Sequence, residues 1–362
     1  MPSLYLSLSL CISNGFHQPS KPHHPLMACF HCKRPSTRKR HRLFSREELN
    51  SATSGFSAST LLGRGSHGSV FLAKLDNGRL LAAAKLPAPP PLQDPSTSPS
   101  SFTANEIAVL SSLPASPLLV NLLGRAATAD PIAIVEFMPN GSLDDLIHRP
   151  FHHPSFPFPL RLRLALRAAT AVASLHALRP PVLHRDIKPS NILLDANGRA
   201  RLADFGLAVR GLPSTAAPAG TIGYLDPVYL SPGDLSVKTD VYSFGVVQLE
   251  LLSGRRAIDV EYSPASLVKW AVGLIEVERF RELWDPRGGG PGSVEEEAAA
   301  RDVARLAARS VGSAPERRPT MEEVVACLRS AGRKAGFWGE EKCWWKLARR
   351  GKVADAAAER RL

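Results

Sequence analysis

Two short groups of residues carry the chemistry that this sequence can perform. The first occupies residues 184–191 and holds a carboxylate, an ammonium group and an amide, namely Asp186, Lys188 and Asn191. The second is a carboxylate before an aromatic residue and a glycine, beginning at Asp204. Metal-assisted phosphoryl transfer needs such groups, because a carboxylate holds the acceptor hydroxyl, a cation neutralises phosphate charge and oxygen ligands bind Mg²⁺. The spacing therefore predicts a phosphoryl-transfer site with Asp186 at the hydroxyl, Lys188 at the phosphate, and Asn191 and Asp204 at the metal.

Each group alone would also suit a loop in which Asp and Asn side chains only stabilise turns. Together, in this order and at this spacing, residues 184–191 and 204–206 resemble the catalytic loop and the metal-binding triplet of protein kinases. The lysine at position 188 is similar to the serine/threonine kinase pattern and differs from the tyrosine kinase pattern. The resemblance implies an α+β, two-lobed protein-kinase fold with a small β-rich N-lobe and a larger helical C-lobe. It also implies ATP with Mg²⁺ or Mn²⁺, and a protein Ser or Thr hydroxyl as the acceptor.

The basic charge of the chain is concentrated at its two ends. The sequence has 362 residues, of which 44% are hydrophobic, and a net charge of +12. Residues 1–46 contain eight Lys and Arg and no acid, and residues 329–362 contain ten against four acids. The intervening region is left with about −2. Because this motif-bearing region is nearly neutral and apolar enough for a sizeable core, we expect a globular enzyme without a nucleic-acid partner.

The expected organisation is one catalytic unit between two tails. We expect a basic N-terminal tail at 1–43, a protein kinase domain with a leading helix at 44–330, and a basic, Trp-containing C-terminal tail at 331–362. Within the domain, the N-lobe should span about 56–137 and the C-lobe about 141–330. Two interpretations of the C-terminal tail stay open. It is either a basic amphipathic helix that binds a membrane or a calmodulin-like partner, or a segment whose Trp side chains pack on the domain.

The N-terminal tail bears on membrane attachment. Its apolar run, residues 4–12, is interrupted by Ser and is too short to span a membrane, and no other stretch has 18 uncharged apolar residues. We therefore expect a cytoplasmic protein without a transmembrane segment. Cys29 and Cys32 lie beside a basic run, and acylation there would hold the chain peripherally at the plasma membrane through two combined signals. A plain basic tail or a nuclear-import stretch is the alternative.

A glycine-rich stretch precedes both groups. A GxGxxG spacing alone fits either a dinucleotide site, where a helix follows, or a hairpin that covers nucleotide phosphates. Here two apolar runs, 70–75 and 80–85, flank an Asn-Gly pair, which is a hairpin signal. A sheet is therefore favoured. The resemblance then implies that Lys85 contacts the α and β phosphates. By the same resemblance, the other residues around the nucleotide are Gly63, Gly65, Gly68 and Val70.

One helix and two strands are expected in the rest of the N-lobe. The helix should begin at Phe102, with apolar residues at 107, 110 and 113, and the resemblance implies that its Glu106 pairs with Lys85. Strands are expected at 118–123 and 132–135. By resemblance, the carbonyl of Glu136 and the amide of Met138 hold adenine, with Val135 as the gatekeeper.

In the C-lobe, the helical pattern of residues 160–178 should deliver the chain to the catalytic loop. Residues 192–202 are expected to form a hairpin that places Asp204 opposite Asp186. A capping box at Thr320 opens a last helix that should end near Leu328. Two proline-rich stretches, 87–99 and 149–159, are expected to be exposed loops.

Residues 204–227 should form the activation segment. By resemblance, Thr221 bonds to Asp186 and Lys188, and Asp240 braces the catalytic loop. The candidate phosphoacceptors are Ser214, Thr215, Thr221 and Tyr224.

One position departs from the family pattern. Val228 stands where most kinases have a glutamate that pairs with an arginine, here matched by Arg318. We hypothesise that Arg318 is solvated, binds backbone carbonyls, or pairs with another acid such as Glu316 or Asp226. Each arrangement should leave the end of the activation segment less firmly held.

Two further stretches of sequence narrow the resemblance to one subgroup of protein kinases. Residues 44–57 and 220–227 are similar to the corresponding segments of plant receptor-like kinases. The resemblance implies a receptor-like cytoplasmic serine/threonine kinase with a protein substrate and an upstream receptor kinase. The alternative, motivated by Val228, is a weakly active or inactive scaffold that binds nucleotide and partners. The presence of Lys85, Asp186 and Asp204 argues against it, because inactive relatives usually lack part of this set.

Overall fold

A computed structural model describes residues 41–65, 68–88, 99–128, 131–148, 156–212 and 217–336. Two lobes follow one another along the chain, first a β-rich one and then a larger helical one, which confirms the predicted α+β kinase fold. Both expected tails lie largely outside the described residues, as do most of the proline-rich stretch at 87–99 and the tip of the glycine-rich stretch. In the described part of the chain, no helix is both long and apolar enough to cross a membrane.

In its described residues, the N-lobe consists of a six-stranded sheet and two α-helices. The strands lie in the order β1-β5-β6-β4-β3-β2, and all pairs are antiparallel except β1 with β5. The elements are β1 Arg42–Phe44, α1 Arg46–Ala52, β2 Leu61–Gly65, β3 Gly68–Leu75, β4 Leu80–Pro87, α2 Pro99–Ser112, β5 Leu122–Ala126 and β6 Ala133–Glu136.

A tight turn joins β3 to β4 and sets the position of Lys85. Asp76, Asn77 and Gly78 all have positive φ, at 51°, 56° and 84°, and these residue types tolerate that region best. The register of the hairpin places Val70 opposite Lys85. A strand, not a helix, therefore follows the glycine-rich stretch, as the Asn-Gly pair predicts.

The leading segment is part of the N-lobe core. Phe44 and Leu49 are buried against Ile132 and Ile134. The Ser45 side chain caps α1 by accepting a hydrogen bond from the Glu48 amide at 3.1 Å. These contacts attach the segment that precedes the glycine-rich strands to the back of the sheet.

The C-lobe is built around one buried helix. Every residue of α5 from Thr239 to Ser253 is buried, so this helix is surrounded by protein on all sides. The C-lobe elements are α3 Leu143–His148, α4 Phe158–His176, β7 Val182–Leu183, β8 Ile192–Leu194, β9 Ala200–Leu202, β10 Val209–Arg210, α5 Val237–Ser253, α6 Leu267–Glu276, α7 Phe280–Leu283, α8 Val294–Ser310 and α9 Met321–Lys334.

Several boundaries differ from the sequence predictions. Helix α2 begins at Pro99, before Phe102. Strand β5 begins at Leu122, because the Asn121 side chain accepts from the Ser116 amide at 2.8 Å and holds the preceding residues in a loop. Helix α9 continues to Lys334, past Leu328, since Ala331 and Gly332 are also buried.

The proline-rich stretch at 149–159 is not wholly exposed. Its described residues include Phe156 and Phe158, which are 6% and 2% exposed. Arg161 of α4 lies 4.6 Å from the centre of the Phe156 ring and donates to the Phe156 carbonyl at 2.6 Å. The aromatic residues therefore anchor the start of α4, and the prediction of an exposed loop is wrong for this end.

Candidate active site

Three charged side chains from both lobes meet at the cleft. Lys85 of β4 donates to the two carboxylate oxygens of Glu106 of α2 at 2.7 and 2.8 Å, and it lies 3.3 Å from Asp204 Oδ1. Burial disfavours the ammonium, but the two carboxylates outweigh burial and hold the pKa of Lys85 above its ordinary value. Lys85 therefore stays cationic at neutral pH, directed by Glu106 toward Asp204.

The pKa of Asp204 is lowered. Burial acts in the opposite direction, but the cation of Lys85 has the next largest influence, and His184 and Lys188 add to it. Asp204 also has a positive φ of 65°, a conformation that costs energy for a residue other than glycine. The site thus keeps this carboxylate ionised and holds it in a strained backbone conformation.

The catalytic loop gathers a second set of polar groups around Asp186. Asn191 Nδ2 donates to the Asp186 carbonyl at 2.8 Å and to its Oδ2 at 2.9 Å. Lys188 Nζ lies 2.8 Å from the same Oδ2, and the Thr221 hydroxyl donates to Oδ1 at 2.6 Å. Lys188 also donates to the Thr221 hydroxyl at 2.7 Å. A carboxylate, a cation and a hydroxyl are therefore in mutual contact at the mouth of the cleft.

The Asp240 carboxylate holds the backbone of the catalytic loop in place. It accepts from the backbone amides of His184 and Arg185 at 2.9 and 2.8 Å and from His176 Nε2 at 2.8 Å. Burial would raise the pKa of Asp240, but hydrogen bonding to His176 and the nearby imidazoles keep it below its ordinary value. Arg185 has a positive φ of 67°, which these bonds stabilise. The brace expected at Asp240 is thus a buried carboxylate that shapes the loop.

The predicted nucleotide-binding residues lie on β2, β3 and β4, at the end of β6 and in the segment between the lobes. A Cβ atom at Gly63 or Gly65 would meet no atom within 4 Å, so open space adjoins both positions. At Gly68 a Cβ atom would lie 2.2 Å from the Leu86 carbonyl oxygen, so this glycine is required by the approach of β4. Val70 and Met138 are partly buried and pack on the main hydrophobic cluster.

The side chain of Glu136 has a partner that the sequence prediction missed. Arg201 of β9 bridges Glu136 and Asp195, at 2.9 and 3.4 Å. The Glu136 carboxylate also accepts from the amide of Asn121 at 3.1 Å. The ion pair connects the end of β6 to the C-lobe hairpin. In the sequence, the only indication of this ion pair is a charged residue in each of the two strands, Glu136 in β6 and Arg201 in β9.

The candidate phosphoacceptors of the activation segment have different surroundings. The Tyr224 hydroxyl donates to Glu250 at 2.9 Å, and Glu250 is fully buried. Burial, followed by the charge of Glu250, raises the pKa of Tyr224. Ser214 and Thr215 lie outside the described residues.

Arg318, the arginine that would pair with a glutamate at position 228, forms an ion pair with a different acid. Arg318 donates to Asp226 through two nitrogens, one of them at 2.9 Å from Oδ1, and it also donates to the Gly312 carbonyl at 2.7 Å. Asp226 and Tyr229 are 3% and 1% exposed. Of the arrangements predicted for Arg318, two occur together, namely the pair with Asp226 and donation to backbone carbonyls. The hypothesis of an arginine without an acid is wrong.

Comparison with known proteins agrees with this geometry. The family model described as "Protein kinase domain" matches residues 56–327, so the chain belongs to the protein kinase family. It is 43% identical over 301 residues to serine/threonine-protein kinase-like protein At3g51990 of Arabidopsis thaliana, covering 80% of each chain. It is 43% identical over 324 residues to At5g23170 of the same species, covering 82% of this chain and 90% of the relative. Receptor-like cytoplasmic kinase 176 of Oryza sativa subsp. japonica is 38% identical over 305 residues, covering 79% and 75%. The predicted resemblance to plant receptor-like cytoplasmic kinases is confirmed.

Proposed function

We propose that this chain transfers the γ-phosphoryl group of ATP to Ser and Thr hydroxyls of proteins in receptor-linked plant signalling. The observation that carries the proposal is the contact of Asp186 with both Lys188 and Thr221, on the cleft side that also holds Asp204. A carboxylate with an adjacent cation is the arrangement that holds a hydroxyl beside a transferring phosphate. The kinship to serine/threonine kinase-like proteins supports the choice of acceptor.

Asp186 is the proposed base of the reaction. Its Oδ1 already accepts a hydroxyl hydrogen bond from Thr221 at 2.6 Å, so it is placed to accept one from a substrate Ser or Thr. Lys188 is bound to the other carboxylate oxygen and contributes positive charge where the phosphoryl group passes. The pair therefore orients the acceptor hydroxyl and stabilises the charge of the transferring group.

Lys85 and the glycine-rich strands are the proposed ATP site. The Lys85 ammonium is held by Glu106 and would contact the α and β phosphates. Open space beside Gly63 and Gly65 lets the backbone approach the phosphates. We assign adenine to the backbone of Glu136 and Met138, and we assign Val70 to the same nucleotide site.

The metal ligands proposed are Asn191 and Asp204. The amide nitrogen of Asn191 is bonded to Asp186, which leaves its amide oxygen as the ligand atom. Asp204 has a lowered pKa, so its carboxylate is ionised. An amide oxygen and a carboxylate suit Mg²⁺, and Mn²⁺ accepts the same ligands. A metal ion held by these two residues would supply positive charge to the phosphates of ATP.

The enzymatic proposal is tested by incubating the purified chain with Mg·ATP and mapping phosphorylated residues by mass spectrometry. We expect phospho-Ser and phospho-Thr in the parent chain and none in Asp186→Asn or Lys85→Ala. Circular dichroism should show that both variants keep their helix content, since neither residue fills the core. Undiminished phosphorylation by either folded variant would overturn the assignment.

A second part of the proposal concerns location and partners. We propose peripheral attachment to the plasma membrane through Cys29, Cys32 and the adjacent basic run, and activation by an upstream receptor kinase. Two acyl chains beside Lys and Arg give the two signals that stable anchoring requires. The resemblance to receptor-like cytoplasmic kinases supports the partner class.

A further inference from the structure

The side chain of Asn105 joins α2 to the segment that follows Asp204. Asn105 immediately precedes Glu106. Its Nδ2 atom lies 2.9 Å from the Gly206 carbonyl, 2.9 Å from the Ala208 carbonyl and 3.3 Å from the Phe205 carbonyl. Three backbone oxygens a hundred residues away along the chain therefore converge on one amide group.

The carbonyls of Gly206 and Ala208 need hydrogen-bond donors from outside their own segment. Residues 205–208 lie between strands, where no regular ladder supplies donors to their carbonyls. An asparagine amide carries two N–H donors on one nitrogen, and both can be directed at a small cluster of acceptors. An aspartate at this position has almost the same shape, but when ionised it only accepts hydrogen bonds. The side chain at position 105 must therefore be a hydrogen-bond donor.

Two further contacts join the same face of α2 to the same segment. Glu106 Oε1 accepts from the Phe205 amide at 3.4 Å. A Cβ atom on Gly206 would lie 3.3 Å from the Phe102 Cβ, so helix and segment are in close contact. Residues 102, 105 and 106 stand three and four positions apart and so share one helical face. This face carries both the partner of Lys85 and the donor to the segment after Asp204.

We propose that Asn105 is a positioning residue that couples the inward position of α2 to the orientation of Asp204. If α2 moves outward, Glu106 leaves Lys85, and the carbonyls of Gly206 and Ala208 lose the Asn105 donor at the same time. The Phe205 carbonyl keeps its hydrogen bond from the Ala208 amide. The Lys85–Glu106 pair and the placement of the Asp204 carboxylate then form and break together. This inference rests on the proposed function for its kinetic consequence, whereas the mechanical coupling rests on the contacts alone.

The kinetic test uses Asn105→Asp and Asn105→Ala in the full chain, with Asn50→Asp as the matched control. Asn50 is exposed on α1, so its substitution makes the same charge change away from the cleft. We expect kcat/KM for ATP to fall about tenfold to a hundredfold in both Asn105 variants, since small misplacements of catalytic groups have effects of this size. The Mg²⁺ concentration for half-maximal rate should rise, while KM for the protein substrate stays unchanged. Asn50→Asp should match the parent.

A second readout does not depend on turnover. Amide hydrogen exchange, measured without nucleotide, should speed up in α2 and in residues 204–208 by the same factor in both Asn105 variants, with α5 unchanged. Wild-type kinetics, Mg²⁺ dependence and exchange in both variants would overturn the proposal. Faster exchange that includes α5 equally, with normal kinetics, would also overturn it, because Asn105 would then contribute only to overall stability. If the parent chain transfers no phosphoryl group, the proposed function fails, yet the exchange experiment still decides the coupling.

Discussion

Asp226 and Arg318 form a buried, two-point ion pair that closes the activation segment onto the C-lobe. Asp226 Oδ1 accepts from Arg318 Nη2 at 2.9 Å, Oδ2 accepts from Nη1, and the side chains are 4% and 0% exposed. The Val228 amide donates to the same Oδ1 at 3.1 Å. Arg318 also donates to the Lys238 carbonyl at 3.2 Å, at the start of α5. The carboxylate that is absent at position 228 is thus supplied by Asp226, two residues earlier.

Removing Asp226 should be strongly destabilising. Breaking a buried ion pair by deleting one partner costs about 3–5 kcal/mol, because the other charge stays buried and unpaired. We expect Asp226→Ala to lower the melting temperature clearly in thermal denaturation followed by circular dichroism. As a control, Asp302→Asn removes the exposed pair with Lys334, which is 2.5 Å long and should matter little. Equal melting temperatures for Asp226→Ala and the parent would contradict a structural role for the pair.

Introducing the missing glutamate should not stabilise the parent chain. Arg318 already has an acid, so Val228→Glu would place a second carboxylate beside Asp226 and lose a half-buried apolar side chain. The melting temperature should stay the same or fall. In the Asp226→Ala background the same substitution should recover part of the lost stability, because it restores an acid near Arg318. A rise in melting temperature for Val228→Glu alone would show that Arg318 still lacks charge compensation.

Thr221 should affect the rate of transfer more than the fold. Its hydroxyl donates to Asp186 at 2.6 Å and accepts from Lys188 at 2.7 Å. Thr221→Ala removes both bonds and should reduce kcat by about tenfold to a hundredfold, because Asp186 and Lys188 lose their common positioning group. Thr221→Ser keeps the hydroxyl and should retain most activity in a steady-state assay with Mg·ATP. If Thr221→Ala is as active as the parent, the hydroxyl has no positioning role.

Glu250 should make stability depend on pH. Burial raises the pKa of Glu250 above its ordinary value of 4.5, although His148 and the Tyr224 hydroxyl oppose the shift. A raised folded-state pKa stabilises the fold below pH 4.5, and this contribution is lost as pH rises through the folded-state value. Glu250→Gln cannot ionise. The melting temperature of this variant minus that of the parent should therefore increase from about pH 5 to about pH 8.

The control for this pH effect is the exposed residue Glu261. Glu261→Gln makes the same substitution at an exposed position, so its melting-temperature difference over the same range shows how much of any change is specific to the buried site. A difference for Glu250→Gln that shrinks with rising pH would mean that the ionised carboxylate is the stabilised form. Asp144, which raises the pKa of Tyr224, and Arg256 also lie near this cluster, so buffers of matched ionic strength are needed.

The two cysteines of the basic N-terminal run should control membrane association. Replacing Cys29 and Cys32 with Ser should move the protein to the soluble fraction of plant-cell lysates, because basic residues alone anchor only weakly. Cys11→Ser is the matched control, since Cys11 lies away from the basic run. Identical fractionation of the double variant and the parent would exclude acylation as the anchor.

The sequence by itself determined the parts of this protein that depend on short spacings. The contact between Asp186 and Asn191, the Asn-Gly turn between β3 and β4, and the capping box at Thr320 are local patterns whose hydrogen bonds close within a few residues. Their structures follow from residue type and spacing, because few other conformations satisfy those donors and acceptors. The kinase class was therefore predictable without coordinates.

Only the tertiary structure decided which distant groups meet. The sequence shows that Val228 is not a glutamate, but several acids were available to Arg318, and Asp226 lies 92 residues away along the chain. The donor role of Asn105 likewise depends on carbonyls 100 to 103 residues distant. Phe156 sits in a proline-rich stretch typical of loops, yet packing against Arg161 buries it. Such contacts are set by how distant segments of the chain pack, because the free energy of a buried ion pair or donor depends on the surroundings that remove it from water.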